Sequence, residues 1–184
     1  MAEILRVSLE NPEPRPIKYA AQLIHQGEIV AIPTDTFYGL AADPFNLAAV
    51  DRIYTVKGRP EQRALPILVT SIEQAQELAA YLSETFYRLV QEFWPGALTL
   101  VVDAAARIPL KVTGNTGRIA LRLPGSKISC AVISAAGTPV TGTSANISGF
   151  APCSSAEQVH KQLGEQLPLI LDAGDTRAKL PSTV

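Results

Sequence analysis

Short apolar runs rich in valine, isoleucine and leucine alternate along the chain with segments whose apolar residues recur at helical spacing. The runs predict strands over residues 4–9, 28–33, 65–70, 98–103, 118–123, 138–143 and 168–172. The amphipathic segments predict helices over residues 17–26, 47–57, 71–82, 83–93, 127–136 and 155–163. Strands that alternate with helices indicate an α/β fold whose sheet has mixed parallel character.

Two of the predicted helices begin with a capping signal. Ser71 stands before Gln74, and Ser154 stands before Glu157, in the S-x-x-E/Q spacing of a capping box. A serine in this place accepts a hydrogen bond from a backbone N–H of the first helical turn. We therefore expect Ser71 and Ser154 to be the N-caps of the helices that follow them.

The composition is that of a compact globular protein: of 184 residues, 47% are hydrophobic and 18% are charged. We expect one domain over residues 1–184, and the apolar ending KLPSTV indicates that the chain stops short of a natural boundary. Lysine and arginine total 16 against 17 aspartate and glutamate, so no overall basic field attracts nucleic acid. The net charge does not exclude a local basic patch on the surface.

Other features exclude whole classes of protein. Cys130 and Cys153 belong to no CxxC motif or Cys/His cluster, so neither a disulfide framework nor a zinc site is expected. The first residues lack the basic start and apolar core of a signal peptide, and no apolar stretch is long enough to span a membrane. We predict a soluble protein of the cytoplasm without a membrane partner.

Two polar clusters at strand ends are candidates for binding a ligand. IPTDTFYGLAADP, residues 32–44, carries Asp35 and Thr36 after a strand, where ligands of α/β proteins collect, although an ordinary turn is the alternative. KGRPEQR, residues 57–63, places Lys57, Arg59 and Arg63 on a loop broken by glycine and proline. These cations suit a polyphosphate, because guanidinium matches phosphate oxygens bidentately, or they belong to a solvated surface loop.

A third cluster is the strand-like run TGRIALRLP, residues 116–124. Arg118 and Arg122 lie on one face of such a strand because side chains alternate with a period of two. Two arginines on an otherwise apolar strand need anionic partners. The sequence does not decide between two kinds of partner for them: the carboxylate or phosphate of a ligand, and acidic side chains of the protein itself.

The fourth cluster, TPVTGTSANISGFAPCSS at residues 138–155, is rich in hydroxyl groups and carries no charged side chain. It fails as a phosphate loop because Thr143 takes the lysine position. It fails as a nucleophile elbow because Asn146 replaces the second glycine and no histidine follows Asp172. We interpret it as a cradle of neutral donors for an anion, formed by the Thr143 and Ser144 hydroxyls, the Asn146 amide and backbone N–H groups.

Together, the motifs PTDTFYGLAADP, KGRP, WPGALTLVV, RIALRLP and TGTSANISG resemble the YrdC-like family over about residues 15–184. The resemblance implies an α/β fold with a twisted open sheet and helices around a concave, positively charged groove. It also implies the synthesis of L-threonylcarbamoyladenylate and pyrophosphate from L-threonine, bicarbonate or CO₂, and ATP. This reaction is the first step of N6-threonylcarbamoyladenosine formation in tRNA, and the product would pass to a tRNA threonylcarbamoyl-transferase complex.

The same resemblance implies roles for individual residues. Threonine would be held by Thr36, Arg122, Ser144 and Ser182. ATP would be held by Lys57, Arg59, Arg63, Arg118, Asn146 and Ser154. Lys57 and Arg59 would neutralise charge during catalysis without a covalent nucleophile. Mg²⁺ would enter on the ATP phosphates, with no metal ligand from the protein and no organic cofactor. Leu68 stands where some members carry a histidine in the threonine pocket, and Ala64 replaces a frequent proline.

Two alternatives stay open at this point. The first is a module that binds double-stranded RNA or tRNA without catalysis, through a patch made of Lys57, Arg59, Arg63, Lys111 and Arg118. The second is the related domain of hydrogenase-maturation carbamoyltransferases, which normally accompanies acylphosphatase and zinc-finger-like segments in a longer chain.

Overall fold

The computed structural model describes residues 1–176, 178 and 180–184. The strands of this part of the chain are β1 Glu3–Arg6, β2 Val30–Ile32, β3 Gly39–Ala41, β4 Ile67–Leu68, β5 Leu100–Asp103, β6 Arg118–Arg122, β7 Val140–Thr141, β8 Thr143–Ser144 and β9 Leu169–Asp172. Its helices are α1 Pro14–His25, α2 Leu47–Lys57, α3 Ile72–Leu78, α4 Glu84–Phe93, α5 Lys127–Ala136 and α6 Ala156–Leu163. The predicted α/β class is therefore confirmed.

The strands form two open sheets where the sequence predicted one. The five-stranded sheet has the order β1-β9-β2-β3-β8, with β1, β9 and β2 parallel and β3 and β8 antiparallel to their neighbours. The four-stranded sheet has the order β5-β6-β4-β7, in which only the β4–β6 pair is parallel. Both sheets are mixed, as the sequence predicted.

The chain passes from one sheet to the other at Gly142. The run predicted as a single strand over 138–143 is divided: Thr141 pairs with β4 in one sheet, and Thr143 pairs with β3 in the other. A Cβ on Gly142 would lie 2.5 Å from Leu68 Cγ, so only glycine fits this crossing without displacing β4. The crossing brings the hydroxyl-rich segment against β3, a strand that the sequence pattern missed.

Both faces of β2 and β9, two inner strands of the five-stranded sheet, are buried. Val30, Ile32, Leu169 and Leu171 pack on one face with α1 and α5, whereas Ala31 and Ile170 point into the other core cluster. Strands covered on both sides are apolar at consecutive positions. This burial explains why β2 and β9 appear in the sequence as continuous apolar runs, and it fixes the strand ends that surround the site.

One of the two predicted caps is confirmed and the other is displaced by one residue. Ser71 accepts a hydrogen bond from the Gln74 backbone N–H at the start of α3, as expected. The N-cap of α6 is Ser155, which accepts from the Gln158 N–H at 3.2 Å. The predicted Ser154 cap is wrong because the Ser154 hydroxyl donates to Gln158 Oε1 at 3.3 Å and accepts no hydrogen bond from the first turn of the helix.

Three structural findings concern the membrane, metal-binding and disulfide classes that the sequence analysis considered. In the described part of the chain, no helix is both long and apolar enough to cross a bilayer. Nor do the described residues contain a group of three or more His, Cys, Asp or Glu side chains that could hold a metal ion. Cys130 and Cys153 are both free cysteines.

Candidate functional site

A cleft of about 450 Å³ gathers most of the predicted site residues. It lies where the loop before β3, the end of β6, the loop after α2 and the segment that begins with β8 come together. The predicted residues that line it are Thr36, Arg59, Arg122, Ser144, Asn146 and Ser182. A larger cavity of about 870 Å³ between β1 and α1 contains none of them, so chemistry and not size marks the candidate site.

Arg122 lies at the end of β6 with its side chain almost fully buried. Its Nε donates to the Gly96 carbonyl at 2.9 Å, its Nη1 donates to Thr36 Oγ1 at 3.1 Å, and its Nη2 is ion-paired with Asp35. Three of the five N–H donors are thus used by acceptors in the described residues, which leaves two for a ligand. Burial lowers the pKa of Arg122 and the Asp35 charge opposes that shift, so the guanidinium stays charged.

The pairing of Asp35 with Arg122 is the feature of this site that the sequence did not assign. Asp35 belonged to a candidate cluster for which an ordinary turn was the alternative, and in the structure its carboxylate is the acidic partner of Arg122. It reaches Arg122 from a neighbouring cavity of about 300 Å³ and does not line the cleft itself. The sequence left open whether the arginines of β6 pair with acids of the protein or with a ligand. Arg122 does pair with an acid of the protein, Asp35, and it also keeps two N–H donors for a ligand.

Arg59 approaches the cleft from the loop that follows α2. That helix ends at Gly58, whose left-handed conformation, with φ of 55°, turns the chain toward the cleft. Arg59 Nε donates to the Arg63 carbonyl at 3.3 Å and Nη2 donates to the Ala64 carbonyl at 2.7 Å. These bonds hold the guanidinium in one place while its other donors stay available. Burial, and to a smaller extent Arg63, lower the pKa of Arg59.

Lys57 lies beneath the hydroxyl-rich segment and not in the cleft wall. It is 1% exposed, and its Nζ donates to the carbonyls of Ser144 and Asn146, the latter at 2.7 Å. The Ser148 N–H returns a bond to the Lys57 carbonyl at 2.8 Å. This placement makes Lys57 the support of the Ser144–Asn146 loop, and it differs from the direct phosphate contact that the sequence predicted.

The charge of the buried Lys57 ammonium should make the affinity for a nucleotide depend on pH. Burial, with a smaller effect of Arg59, lowers the pKa of Lys57 to about 8. The positive charge is therefore present below this pH and is lost as the pH rises through it. If the cleft binds a polyphosphate, we expect its affinity to fall above about pH 8, by at most about tenfold per pH unit.

The measurement is the Kd of ATP from about pH 6 to about pH 9, without amino acid, because a free α-amino group titrates in the same range. A Lys57→Met protein that retains its thermal stability should bind ATP weakly at every pH, without this inflection. An unchanged Kd across the range in the wild-type protein would contradict the prediction.

The amide donors of the Asn146 side chain are bonded within the protein, where the sequence predicted donors for a ligand. Its Nδ2 donates to the carbonyls of Ile147 and Phe150 at 2.9 and 2.8 Å. Because carbonyls only accept, these bonds fix which end of the amide faces them. The buried Oδ1 has no hydrogen-bond partner in the described residues. The predicted neutral donor cradle is therefore wrong for the Asn146 side chain.

Tyr38 and the last residues of the chain complete the cleft. The fully buried Tyr38 donates its backbone N–H to the Cys153 carbonyl and its hydroxyl to the Gly174 carbonyl at 2.8 Å. Burial raises the pKa of Tyr38 to about 12, so this hydroxyl stays neutral. Thr183 exchanges backbone bonds with the segment 97–99, which places Ser182 in the wall beside Thr36 and Ser144.

Besides Lys57, the structure leaves three other predicted ATP residues out of the wall of this cleft: Arg63, Arg118 and Ser154. Arg63 is exposed at the outer end of its loop. Arg118 is at the opposite end of β6 from Arg122, 3.8 Å from Asp103 with most of its side chain in solvent. Ser154 lies before α6 and accepts from the Thr176 N–H through its carbonyl. Their ATP contacts stay predictions.

These features define an α/β protein with a cleft built from two arginines, hydroxyl groups and an asparagine side chain. Residues 22–184 match the family model Sua5_yciO_yrdC, which carries the description Telomere recombination. The chain belongs to the Sua5/YciO/YrdC family. The expected resemblance to YrdC-like proteins is thereby confirmed.

Individual relatives agree with this assignment. The chain is 38% identical over 175 residues to the threonylcarbamoyl-AMP synthase of Pyrococcus abyssi, covering 95% of this chain and 52% of that protein. It is 36% identical to the synthase of Vibrio vulnificus over 157 residues, 84% of each chain. The crystal structure of P. abyssi Sua5 complexed with L-threonine superposes with a TM-score of 0.96 at 38% identity, covering 100% of this chain and 54% of that one. The chain thus spans about half the length of the P. abyssi protein.

Proposed function

We propose that the chain catalyses the formation of L-threonylcarbamoyladenylate and pyrophosphate from L-threonine, CO₂ or bicarbonate, and ATP. The observation that carries the proposal is the shared cleft of Arg59, Arg122 and Ser144, three side chains that come from separate segments of the sequence. Relatives named threonylcarbamoyl-AMP synthase and the threonine complex of P. abyssi Sua5 support the same reaction.

The two arginines have different tasks in this proposal. Arg122, held from behind by Asp35, offers its two remaining N–H donors to the threonine carboxylate, with the Thr36 hydroxyl beside it. Arg59 offers its guanidinium to the phosphates of MgATP. Lys57 supports the Ser144–Asn146 loop and adds a positive charge behind it. The segment that forms the loop carries no carboxylate that would repel either substrate.

The chemistry needs little from the protein except position and charge. The threonine amine, after losing a proton to solvent, adds to CO₂, and the resulting carbamic acid loses a second proton to become a carbamate. A carbamate oxygen then attacks the α-phosphorus of ATP, the bond from that phosphorus to the bridging oxygen breaks, and pyrophosphate leaves. Fixed cations and hydroxyl donors stabilise the charge that shifts in this step. No covalent intermediate is required.

Magnesium enters this proposal as part of the substrate MgATP. Mg²⁺ keeps several waters and binds through one or two carboxylates and substrate phosphates. The described residues around the cleft supply hydroxyls, an amide and arginines, with Asp35 already paired to Arg122. The adenylate product would then pass to a tRNA threonylcarbamoyl-transferase complex in the cytoplasm.

The predicted RNA patch has fewer available cations than its sequence indicated. Lys57 is buried, and Lys111 is ion-paired with Asp51 and lies 3.5 Å from Glu61. Arg118 lies near Asp103. Paired and buried cations release few counterions from a nucleic acid, so this surface favours the enzyme over a module that only binds RNA.

The test is pyrophosphate release from ATP and bicarbonate with each amino acid in turn. We expect release to require threonine, and kcat/KM for threonine to exceed that for serine by about 10- to 200-fold, since one methyl group in an apolar pocket contributes about 1–3 kcal/mol. Degassed, bicarbonate-free buffer is the matched control and should suppress release. Equal release without any amino acid, or RNA binding with strong salt dependence and no turnover, would reject the synthase.

A further inference from the structure

The first strand of the protein has a free edge. β1 lies at one end of the five-stranded sheet and, among the described strands, pairs with β9 alone. The N–H groups of Glu3 and Val7 donate to carbonyls of the β9 segment at 2.9 and 2.8 Å. Because alternate residues of a strand bond to opposite sides, the backbone groups of Ile4 and Arg6 point away from β9. They offer two N–H donors and two carbonyl acceptors to an additional strand.

A cavity lies on each face of the sheet beside this edge. The larger one, of about 870 Å³, lies between β1 and α1, and its wall includes Leu5 and Tyr19. The smaller one, of about 490 Å³, lies between β1 and α6, and its wall includes Ile4 and Ala156. Side chains of a strand alternate between the two faces of a sheet. A strand added to β1 would therefore place successive side chains in the two cavities in turn, as in peptides that extend a sheet.

Positive charge surrounds the larger cavity. Arg6, Arg15 and Lys18 line it against a single acid, Glu3. Arg15 and Lys18 are exposed, and neither has an ion pair among the described residues. The Arg6 side chain is 94% exposed, with its Nε 3.9 Å from Asp172. An occupant with negative charge is thus favoured here, because charge complementarity steers association and selects the partner.

The smaller cavity has the opposite charge balance. Glu157 and Asp172 line it with one lysine, Lys161, beside His160 and Ile4. Acidic side chains would be repelled there, whereas apolar ones would cover Ile4, which is 42% exposed. The two cavities therefore favour acidic side chains on one face of an added strand and apolar side chains on the other.

The same charges disfavour a second copy of this chain as the added strand. In an antiparallel pair of β1 strands, the two-fold axis is perpendicular to the sheet, so both α1 helices lie on one face of the joined sheet. The cations of the two larger cavities would then approach each other across the axis, and like charges oppose association. An acidic segment of another protein meets no such repulsion.

The proposed reaction does not account for these cavities. Neither cavity shares a lining residue with the cleft. All residues that line the larger cavity, except Gln22, precede the part of the chain that matches the family model. The free edge of β1 is therefore a surface separate from the site of the synthase reaction.

We propose that an extended segment of a partner protein, with acidic and apolar side chains in alternation, adds to the free edge of β1. Its backbone bonds to the N–H and carbonyl groups of Ile4 and Arg6. Its acidic side chains enter the larger cavity and face Arg15 and Lys18, and its apolar side chains enter the smaller cavity and cover Ile4. Backbone bonds supply affinity for any extended chain, and the two cavities select the side chains.

The probe is a labelled peptide of about eight alternating glutamate and valine residues with blocked ends, a usual strand length. It is titrated into the full chain by fluorescence anisotropy. We expect it to bind, and a peptide with lysine in place of glutamate to bind at least about tenfold more weakly. A peptide N-methylated along one edge keeps the charges but loses donors to β1, and should also bind at least about tenfold more weakly. Bound peptide should slow hydrogen exchange of the Ile4 and Arg6 amides.

Two variants assign the contact to β1 and α1. Ile4→Pro removes an outward N–H and keeps the bonds to β9, which an edge strand tolerates, and Arg15→Glu with Lys18→Glu reverses the charge. Each should weaken binding of the glutamate–valine peptide at least about tenfold, with the thermal midpoint and pyrophosphate release unchanged. Arg88→Glu, at an exposed arginine of α4 outside both cavities, is the matched control and should bind as the wild type does.

The readout is peptide binding, so its outcome is distinct from that of the proposed reaction. No binding of the glutamate–valine peptide, or equal binding of the lysine peptide, would overturn the proposal. Equal binding of the N-methylated peptide would show that charge alone holds the ligand, and would overturn the added strand. A dimer in sedimentation velocity that Ile4→Pro abolishes would assign the edge to a second copy of the chain instead.

Discussion

Replacing Arg59 by alanine is expected to lower kcat/KM for ATP by about 10²- to 10³-fold, the usual effect of removing one preorganised donor from a reacting charge. The guanidinium lies in the cleft wall, held by the carbonyls of Arg63 and Ala64. Its loss removes the charge that we assign to the phosphates, whereas Arg122 and its carboxylate site stay intact. The Kd of ATP should therefore rise while the Kd of threonine changes less than about twofold.

Two further proteins make this result specific. Arg59→Lys keeps the charge but loses the planar fork, so it should recover only part of the activity. Arg52→Ala removes another arginine of the same region, one that is paired with Glu28 at 2.8 Å and does not line the cleft, and its activity should be normal. Full ATP turnover by Arg59→Ala would show that the phosphates bind elsewhere.

Replacing Arg122 by lysine is expected to raise the KM for threonine by about 10²-fold, with a much smaller change in the Kd of ATP. Lysine keeps a positive charge beside Asp35, but its ammonium has only three N–H donors. It therefore cannot make the three bonds of Arg122 to Gly96, Thr36 and Asp35 and also offer two donors to a carboxylate. Steady-state kinetics with varied threonine, and direct titration of ATP, separate the two effects.

Alanine is the poorer substitution at this position. Removing one partner of a buried ion pair leaves the other uncompensated and costs about 3–5 kcal/mol of folding stability. Arg122→Ala should therefore lower the thermal midpoint as well as activity, and the lysine variant shows which loss belongs to threonine binding. Arg107→Lys, at an exposed arginine paired with Glu77, is the matched control. An unchanged KM for threonine in Arg122→Lys would remove the carboxylate assignment.

The helices and most strands were predictable because their burial follows a simple period. The segment of α2 matches its predicted bounds, and β9 lies within its predicted run, since both faces of that strand are covered. β3 was missed because three residues are too few to show alternation. The division of β7 from β8 was missed because it depends on where Leu68 packs against Gly142, a contact between distant parts of the chain.

The site was predictable in residue identity and less so in the role of each residue. The family motifs pointed to Arg59 and Arg122, and the fold brings both to one cleft. Alternation placed Arg118 and Arg122 on one face, but residues four apart in a strand are separated by about 13 Å. The two lie at opposite ends of β6, and only Arg122 lines the cleft. The hydrogen-bonding direction of Asn146 depends on two nearby carbonyls that no spacing in the sequence reveals.

The most direct measurement is a crystal structure of the protein with both L-threonine and a non-hydrolysable ATP analogue bound. We expect the threonine carboxylate within hydrogen-bonding distance of the Arg122 Nη atoms and the phosphates within that distance of the Arg59 guanidinium, with both ligands in the cleft beside Ser144. Ligands in separate cavities, or phosphates away from Arg59 and a carboxylate away from Arg122, would contradict a shared cleft in which the two substrates meet.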